Sequence, residues 1–200
     1  MTHARVKNDD LRIATVRQFA EAHDPDPPHA AQVTANSLAL FDALQDLHAL
    51  GKRARFWLHA AALLHDTGYA VNPDQHHKGS RDLILDSRLK GFSANDLRAI
   101  ACIARYHRKA HPDPSHKAFC DLDAKSQCVV AKLAAVLRVA DGLDRCHIAS
   151  VSSLNVERKA DEIVIHVQQR TPCAEDLDAA RSKADLFEKT FGLHVTLVAG

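Results

Sequence analysis

The stretch LHAAALLHDTGY, Leu58 to Tyr69, decides how this chain is read. Small and branched apolar residues in succession describe a helix running into a core. The helix ends in His65-Asp66, with Gly68 as the stop. An imidazole and a carboxylate at a buried helix end are costly unless something satisfies them. Adjacent helical positions point about 100° apart, because the side-chain period is 3.6. Both groups therefore reach one point only near a helix end.

Working outward, two other polar groups sit where apolar ones are expected. His29 opens a helix that should run from about residue 29 to about Leu50, with Val33, Leu40, Leu44 and Leu47 on one face. Asp141 lies on the stripe Val130, Ala134, Leu137, Asp141 of QCVVAKLAAVLRVADGLDRCHIA, a segment apolar around most of its circumference and hence central. A carboxylate buried there should raise its pKa or find a cation. Singly, each has a plainer reading. His29 could be a satisfied core histidine, and Asp141 a buried cap or an ion-pair partner of Arg138 or Arg145. The ordered set H…HD…D on successive helices points instead to one shared cation. Carboxylate oxygens suit hard divalent ions and imidazole suits first-row transition metals, so manganese, iron, zinc or magnesium all fit.

The rest of the chain reads as helices, then a change of character. Asp9 or Asp10 can cap a helix to about Ala22, and HDPDPPH (23–29) breaks it. Residues 53–66 form the helix quoted first. After the loop VNPDQHHKGS, Ser80 can cap a short helix to about Ser87. In GFSANDLRAIACIARYHRKAHPDP, Ser93 caps, Asp96 follows three residues on, and Ile100, Ile103, Ala104 and His107 share a stripe. From Val151, VSSLNVERKADEIVIHVQQ alternates as a hairpin. Residues 174–190 are amphipathic through Leu177, Ala180, Ala184 and Phe187, and GLHVTLVAG closes as a strand. The expectation is a mainly α protein: a helical body over residues 1–150 and a small β-β-α-β tail over 151–200 packed on it.

Composition bounds the function classes. The chain has 200 residues, 46% hydrophobic and 26% charged, with a net charge of +1, so no specific nucleic-acid partner is expected. Histidine is the unusual component, with 14 copies. The five cysteines form no CxxC pair, which suggests reduced thiols in a cytoplasmic protein. MTHARVKNDDLR has no apolar signal-like core, and Lys132 and Arg138 interrupt the longest apolar run, so neither a signal peptide nor a membrane span is expected.

His29, His65-Asp66 and Asp141 resemble the H…HD…D signature of the HD superfamily of metal-dependent phosphohydrolases. LLHDTGY, HHKGSRDLIL, GFSANDLRAIACIARYHRKAHP, AAVLRVADGLDRCH and LFEKTFGLHVTL are similar to the C-terminal HD-type domain of the exopolyphosphatase/guanosine pentaphosphatase family, over nearly the whole chain. The resemblance implies an HD-domain helical bundle, here as a stand-alone chain, with His29, His65, Asp66 and Asp141 as metal ligands. A second ion would use His76, His77 and His107, although relatives often carry a further histidine where this chain has Gly79.

The reaction expected is attack of metal-activated water on a phosphate ester or phosphoanhydride, with a nucleotide or polyphosphate as substrate. Asp66 and His65 are the candidate catalytic residues. Lys78, Arg81, Arg105, Arg108, Lys109 and Arg145 are candidate phosphate binders, since guanidinium forks match phosphate. RYHRK could equally be a solvated helix end. His111 and His116, in a proline-rich loop, are expected to face solvent, and Trp57 and Tyr69 to be core and rim. The alternative to an enzyme is a non-catalytic polyphosphate- or nucleotide-binding or dimerisation module. The amphipathic tail helix could simply cover the small sheet, or the sheet edge could join two chains in a homodimer.

Overall fold

The computed structural model describes the backbone of residues 2–200 and the side chains of residues 9–200. Helix α1 (Thr2–His23) leads to the proline-rich break, which doubles as the start of α2 (Pro27–Ala43). Asp26 is the N-cap, its side chain accepting from the His29 N–H at 3.2 Å, and the prolines occupy the first turn where no N–H is needed. The break therefore fixes the entry angle of the helix that carries His29.

The helix expected to reach Leu50 stops sooner. Helix α2 ends at Ala43, and a single turn, α3 (Gln45–His48), follows. Ala49 takes the left-handed cap conformation (φ 53°) that ends it. Helix α4 (Lys52–Leu64) is the one quoted first. A 3-10 turn (Pro73–Gln75) leads into α5 (His76–Asp86), which starts four residues before Ser80 because Asn72 caps the turn. Helix α6 (Ala94–Arg105) has the expected Ser93/Asp96 capping box. Asp96 also accepts from Trp57 Nε1 at 2.8 Å, which ties α6 to α4. A short helix, α7 (Lys117–Cys120), precedes α8 (Ala124–Gly142), which is capped by Asp123.

Strands β1 (Val151–Arg158) and β2 (Glu162–Gln169) form an antiparallel hairpin, and β3 (His194–Ala199) pairs with β2 in parallel. A parallel pairing needs a crossover. The expected helix over 174–190 supplies it in two pieces, α9 (Ala174–Ser182) and α10 (Asp185–Phe191), with the break at Lys183-Ala184. The protein is mainly α with a small C-terminal β-β-α-β tail.

Helix α8 is central, with Val130, Leu133, Ala134 and Leu137 all buried. The core runs without interruption from Val16 through α8 to Ile163, Ile165 and Phe187 of the tail. Gly142 permits the closest approach, since a Cβ there would come 2.5 Å from Ala180 Cα. Trp57 is buried and Tyr69 is 44% exposed, as expected of core and rim.

The cysteines correct an expectation. Cys146 and Cys173, 27 residues apart, are joined in a disulfide, while Cys102, Cys120 and Cys128 are free. The pair meets because Asp176 on α9 accepts from the Cys146 N–H at 2.8 Å, and no local spacing encodes that contact.

Among the described residues, no helix is long and apolar enough to cross a membrane.

Candidate metal centre

Five helix ends meet at one cavity of about 680 Å³. His29 comes from the first turn of α2, His65-Asp66 from the end of α4, His76 from the start of α5, His107 from just past α6, and Asp141 from the end of α8. Helix ends can do this because their side chains are not confined to one stripe. Gly68 makes the turn after Asp66 compact enough: its N–H donates to Ser80 Oγ at 2.9 Å, and Ser80 Oγ donates to the His65 carbonyl at 2.6 Å. A Cβ on Gly68 would come 2.2 Å from Ser80 N, so α5 is seated directly on the HD turn.

The histidine tautomers follow from their partners. His65, His76 and His107 each place Nδ1 against a carbonyl oxygen, of Ala62 (2.8 Å), Pro73 (2.7 Å) and Ala104 (2.7 Å) respectively. A carbonyl only accepts, so Nδ1 carries the proton. His29 Nδ1 likewise donates to Asp144 Oδ2 at 2.9 Å. In the neutral rings all four Nε2 lone pairs are thus turned inward. They face one another closely, at 3.4 Å for His29–His65 and 3.2 Å for His76–His107. Two lone pairs cannot bond each other, and a cation between the rings would satisfy both.

The carboxylates complete two groups that share Asp66. His29, His65 and Asp66 form one metal-competent set, and Asp66, His76 and His107 form another. Asp141 Oδ1 adds to the first, 3.4 Å from His29 Nε2 and 3.7 Å from His65 Nε2. Asp66 Oδ2 lies 3.9 and 3.7 Å from the same two nitrogens. Its Oδ1 lies 3.2 Å from His76 Nε2 and 3.6 Å from His107 Nε2. That Oδ1 is buried and accepts no hydrogen bond among the described residues. An orphaned carboxylate oxygen beside inward lone pairs is a donor set that fits a divalent cation.

The electrostatics divide the same way. Burial alone would lower the His29 pKa, but bonds to Asp141 and Asp144 hold it up at about 10. Burial opposes protonation of His65 too, and Asp66 and Asp141 overcome it, raising its pKa. For His76 burial wins and lowers the pKa; for His107 it wins outright, pushing the value down to about 3. Burial would raise the Asp66 and Asp141 pKa values. His65 and His107 hold Asp66 low instead, and Lys183 with His29 holds Asp141 well below the usual carboxylate range.

The remaining predicted residues are dispersed. His77 is buried but turned away, its Nδ1 without a partner, and burial pushes its pKa down to about 4. Arg108 and Arg145 line the cavity, and Arg108 NH1 lies 3.2 Å from both His76 ring nitrogens. Lys109 donates to the Asp74 carbonyl at 2.8 Å, and exposed Lys78 donates to Gln75 Oε1 at 3.0 Å. Arg81 and Arg105 line a different cavity. Of the six basic residues expected around the cluster, two, Arg108 and Arg145, line its cavity, both from turns just past helix ends. His111 and His116 are half-buried and bonded, to Asp185 (2.8 Å) and Tyr106 (2.9 Å), rather than free in solvent.

Four residues join the site that sequence reasoning did not find. Lys183, at the α9–α10 break, pairs with Asp141 Oδ2, a role expected of Arg138 or Arg145. Arg138 pairs with Asp185 instead, at 2.9 Å. Asp144 orients His29 and is fully buried; its spacing of three from Asp141 was the available signal. His147, in a left-handed conformation (φ 55°), stacks on His29 with ring centroids 4.0 Å apart and bonds Asp26 at 2.7 Å. Asp24 lines the cavity, its Oδ2 unpartnered among the described residues, and burial raises its pKa.

Comparison with known proteins converges on one family. Residues 11–183 match the family described as Ppx/GppA phosphatase, domain III. Among curated proteins, the chain is similar to a guanosine-5'-triphosphate,3'-diphosphate pyrophosphatase of Pseudoalteromonas translucida, 28% identical over 104 residues, which is 50% of this chain and 20% of that protein. A protein of the same name from Photobacterium profundum is 26% identical over 106 residues, 53% of this chain and 21% of its own length. The chain thus spans about a fifth of the length of the curated relatives it matches.

Proposed function

The chain belongs to the Ppx/GppA phosphatase domain III family, and from that premise we propose that its histidine–aspartate cluster is the divalent-metal site of an HD-type phosphohydrolase. The substrate class is a phosphate ester or phosphoanhydride, of nucleotide or polyphosphate kind. The observation that carries this reading is the set of four Nε2 atoms around the Asp66 carboxylate, one oxygen of which accepts no hydrogen bond among the described residues. His29, His65, Asp66 and Asp141 would hold one ion, and Asp66, His76 and His107 a second. Manganese, magnesium, iron or zinc, when bound, would acidify water and polarise a phosphoryl oxygen.

The chain's own groups supply the rest. Arg108 and Arg145 reach the same cavity and are suited to grip phosphoryl oxygens two at a time. Lys183 compensates Asp141 and presents its ammonium to the cavity. Asp24 lines the same cavity, and burial raises its pKa, which suits it to act as a general acid toward the leaving oxygen. Asp144 and the Ala62, Pro73 and Ala104 carbonyls fix ring orientation, so the site is organised before substrate arrives.

The alternative reading, a polyphosphate- or nucleotide-binding module, is favoured by one fact: the relatives are about five times longer than the matched segment. A hydrolysis panel of phosphoesters, nucleotides and polyphosphate, run with each metal, separates the two. The enzyme reading expects turnover that Asp66→Ala abolishes while the chain stays folded by circular dichroism. Tight binding without turnover by the wild type, or unchanged turnover by Asp66→Ala, overturns it.

A further inference from the structure

Arg105 closes α6 with only 7% of its surface exposed, and neither its Nε nor its NH1 meets an acceptor among the described residues. A buried charge without a counter-charge is among the costliest groups a fold can hold. The neighbouring Tyr106 offers no counter-charge: its hydroxyl supplies a neutral hydrogen-bond partner, and Arg105 Cζ lies 5.7 Å from the ring centroid, near the limit of a cation–π contact. The side chain instead lines a cavity of about 500 Å³ between α5, α6 and α7, which shares no lining residue with the metal centre.

The lining is basic in a particular way. Arg81 from α5 is engaged by Asp82 through Nε and NH2, both at 2.7 Å, and Lys117 from α7 by Asp121 at 3.1 Å. The cavity's two carboxylates are thereby used up. Arg98 and Arg105, seven residues apart on one face of α6, keep no carboxylate partner among the described residues. Apolar wall is limited to Leu85 and Ala118, and His116 is the one ring, already bonded to Tyr106. Nothing here would stack a nucleobase, whereas two planar forks match the oxygens of a tetrahedral oxyanion.

We propose that this cavity is a second, metal-independent phosphoryl-binding site, with Arg105 as its buried anchor and Arg98 as its outer fork. The ligand is a terminal phosphoryl group, whether of free orthophosphate or of a longer polyphosphate chain. The inference stands without the metal-centre reading, because no metal ligand contributes to it.

Calorimetric titration of the full chain in EDTA, at constant ionic strength, tests it with orthophosphate and tripolyphosphate in separate arms. The wild type should bind at one site per chain. Arg105→Gln should weaken binding at least about tenfold and Arg98→Gln about fivefold. Arg181→Gln, which removes an exposed charge on α9, should change nothing. If Arg105→Gln does not fold, Arg98→Gln alone decides. Tripolyphosphate binding tenfold or more tighter than orthophosphate identifies a chain end as the ligand, and equal affinities identify free phosphate. No binding by the wild type at millimolar ligand, unchanged affinity in the folded arginine variants, or equal weakening by Arg181→Gln overturns the proposal.

Discussion

Asp66 Oδ1 lies 3.2 Å from His76 Nε2, and the other oxygen of the same carboxylate faces His29 and His65. One side chain therefore joins two ligand groups. Equilibrium dialysis against manganese should find two ions per wild-type chain, one in His76→Ala or His107→Ala, and greatly weakened binding in Asp66→Ala. Two full-affinity ions in the His76 variant would refute the assignment.

Asp144 acts on the site only through His29. Its carboxylate accepts the Nδ1 proton at 2.9 Å and also accepts from the Ala149 N–H at 2.8 Å. Partners of this kind are typically worth about 10–100-fold in metal affinity. Asp144→Asn should therefore weaken manganese binding by about that factor. Competition with a chelating dye measures it.

If Asp24 delivers a proton, Asp24→Asn should lower kcat by about 10²–10⁴, the usual scale for a general acid. Bound metal should be unchanged. The working form is the protonated acid, so the wild-type rate should fall as pH rises through the Asp24 pKa, which burial has raised. That fall should be missing from the variant's pH–rate profile.

His59 on α4 gives a pH signature of stability far from chemistry. Its Nε2 is buried without a partner among the described residues, and burial, with Arg17 and Arg55 nearby, pushes its pKa down to about 4. The unfolded chain takes up this proton near pH 6.5 and the folded chain does not until about pH 4. The His59 contribution is thus complete above the unfolded value and is lost as pH falls through that window. His59→Leu should flatten the decline of Tm between about pH 6.5 and 4. A decline of unchanged steepness would contradict the assignment.

Gly68→Ala should cost about 1–3 kcal/mol, the scale of overpacking in a tight site. The new Cβ would fall 2.2 Å from Ser80 N and 2.4 Å from the His76 carbonyl, both backbone atoms. Because the strain displaces His76, metal affinity should fall together with chemical-denaturation stability.

The reach of sequence reasoning has a physical explanation. The convergence of His29, His65, Asp66 and Asp141 was legible because each interrupts an apolar stripe, and a buried polar group needs a reason. His76 was separable from His77 only through the start of α5, which the Asn72-capped turn sets four residues before Ser80. Lys183 was not legible at all. It reaches Asp141 because Gly142 lets α9 pack against α8, a tertiary contact with no periodic signature. Arg105 was expected beside the cluster but lines a different cavity, since the turn past Arg105 decides which side of the helix pair each basic residue meets. The tail's strands followed from alternation, whereas the break at Lys183 fell inside an unbroken amphipathic pattern.

Pulsed electron paramagnetic resonance of the manganese-loaded chain tests the central claim most directly. The account predicts nitrogen couplings from coordinated imidazole in the wild type, reduced in His65→Ala. Manganese that does not bind, or that binds without any imidazole nitrogen coupling, would contradict it.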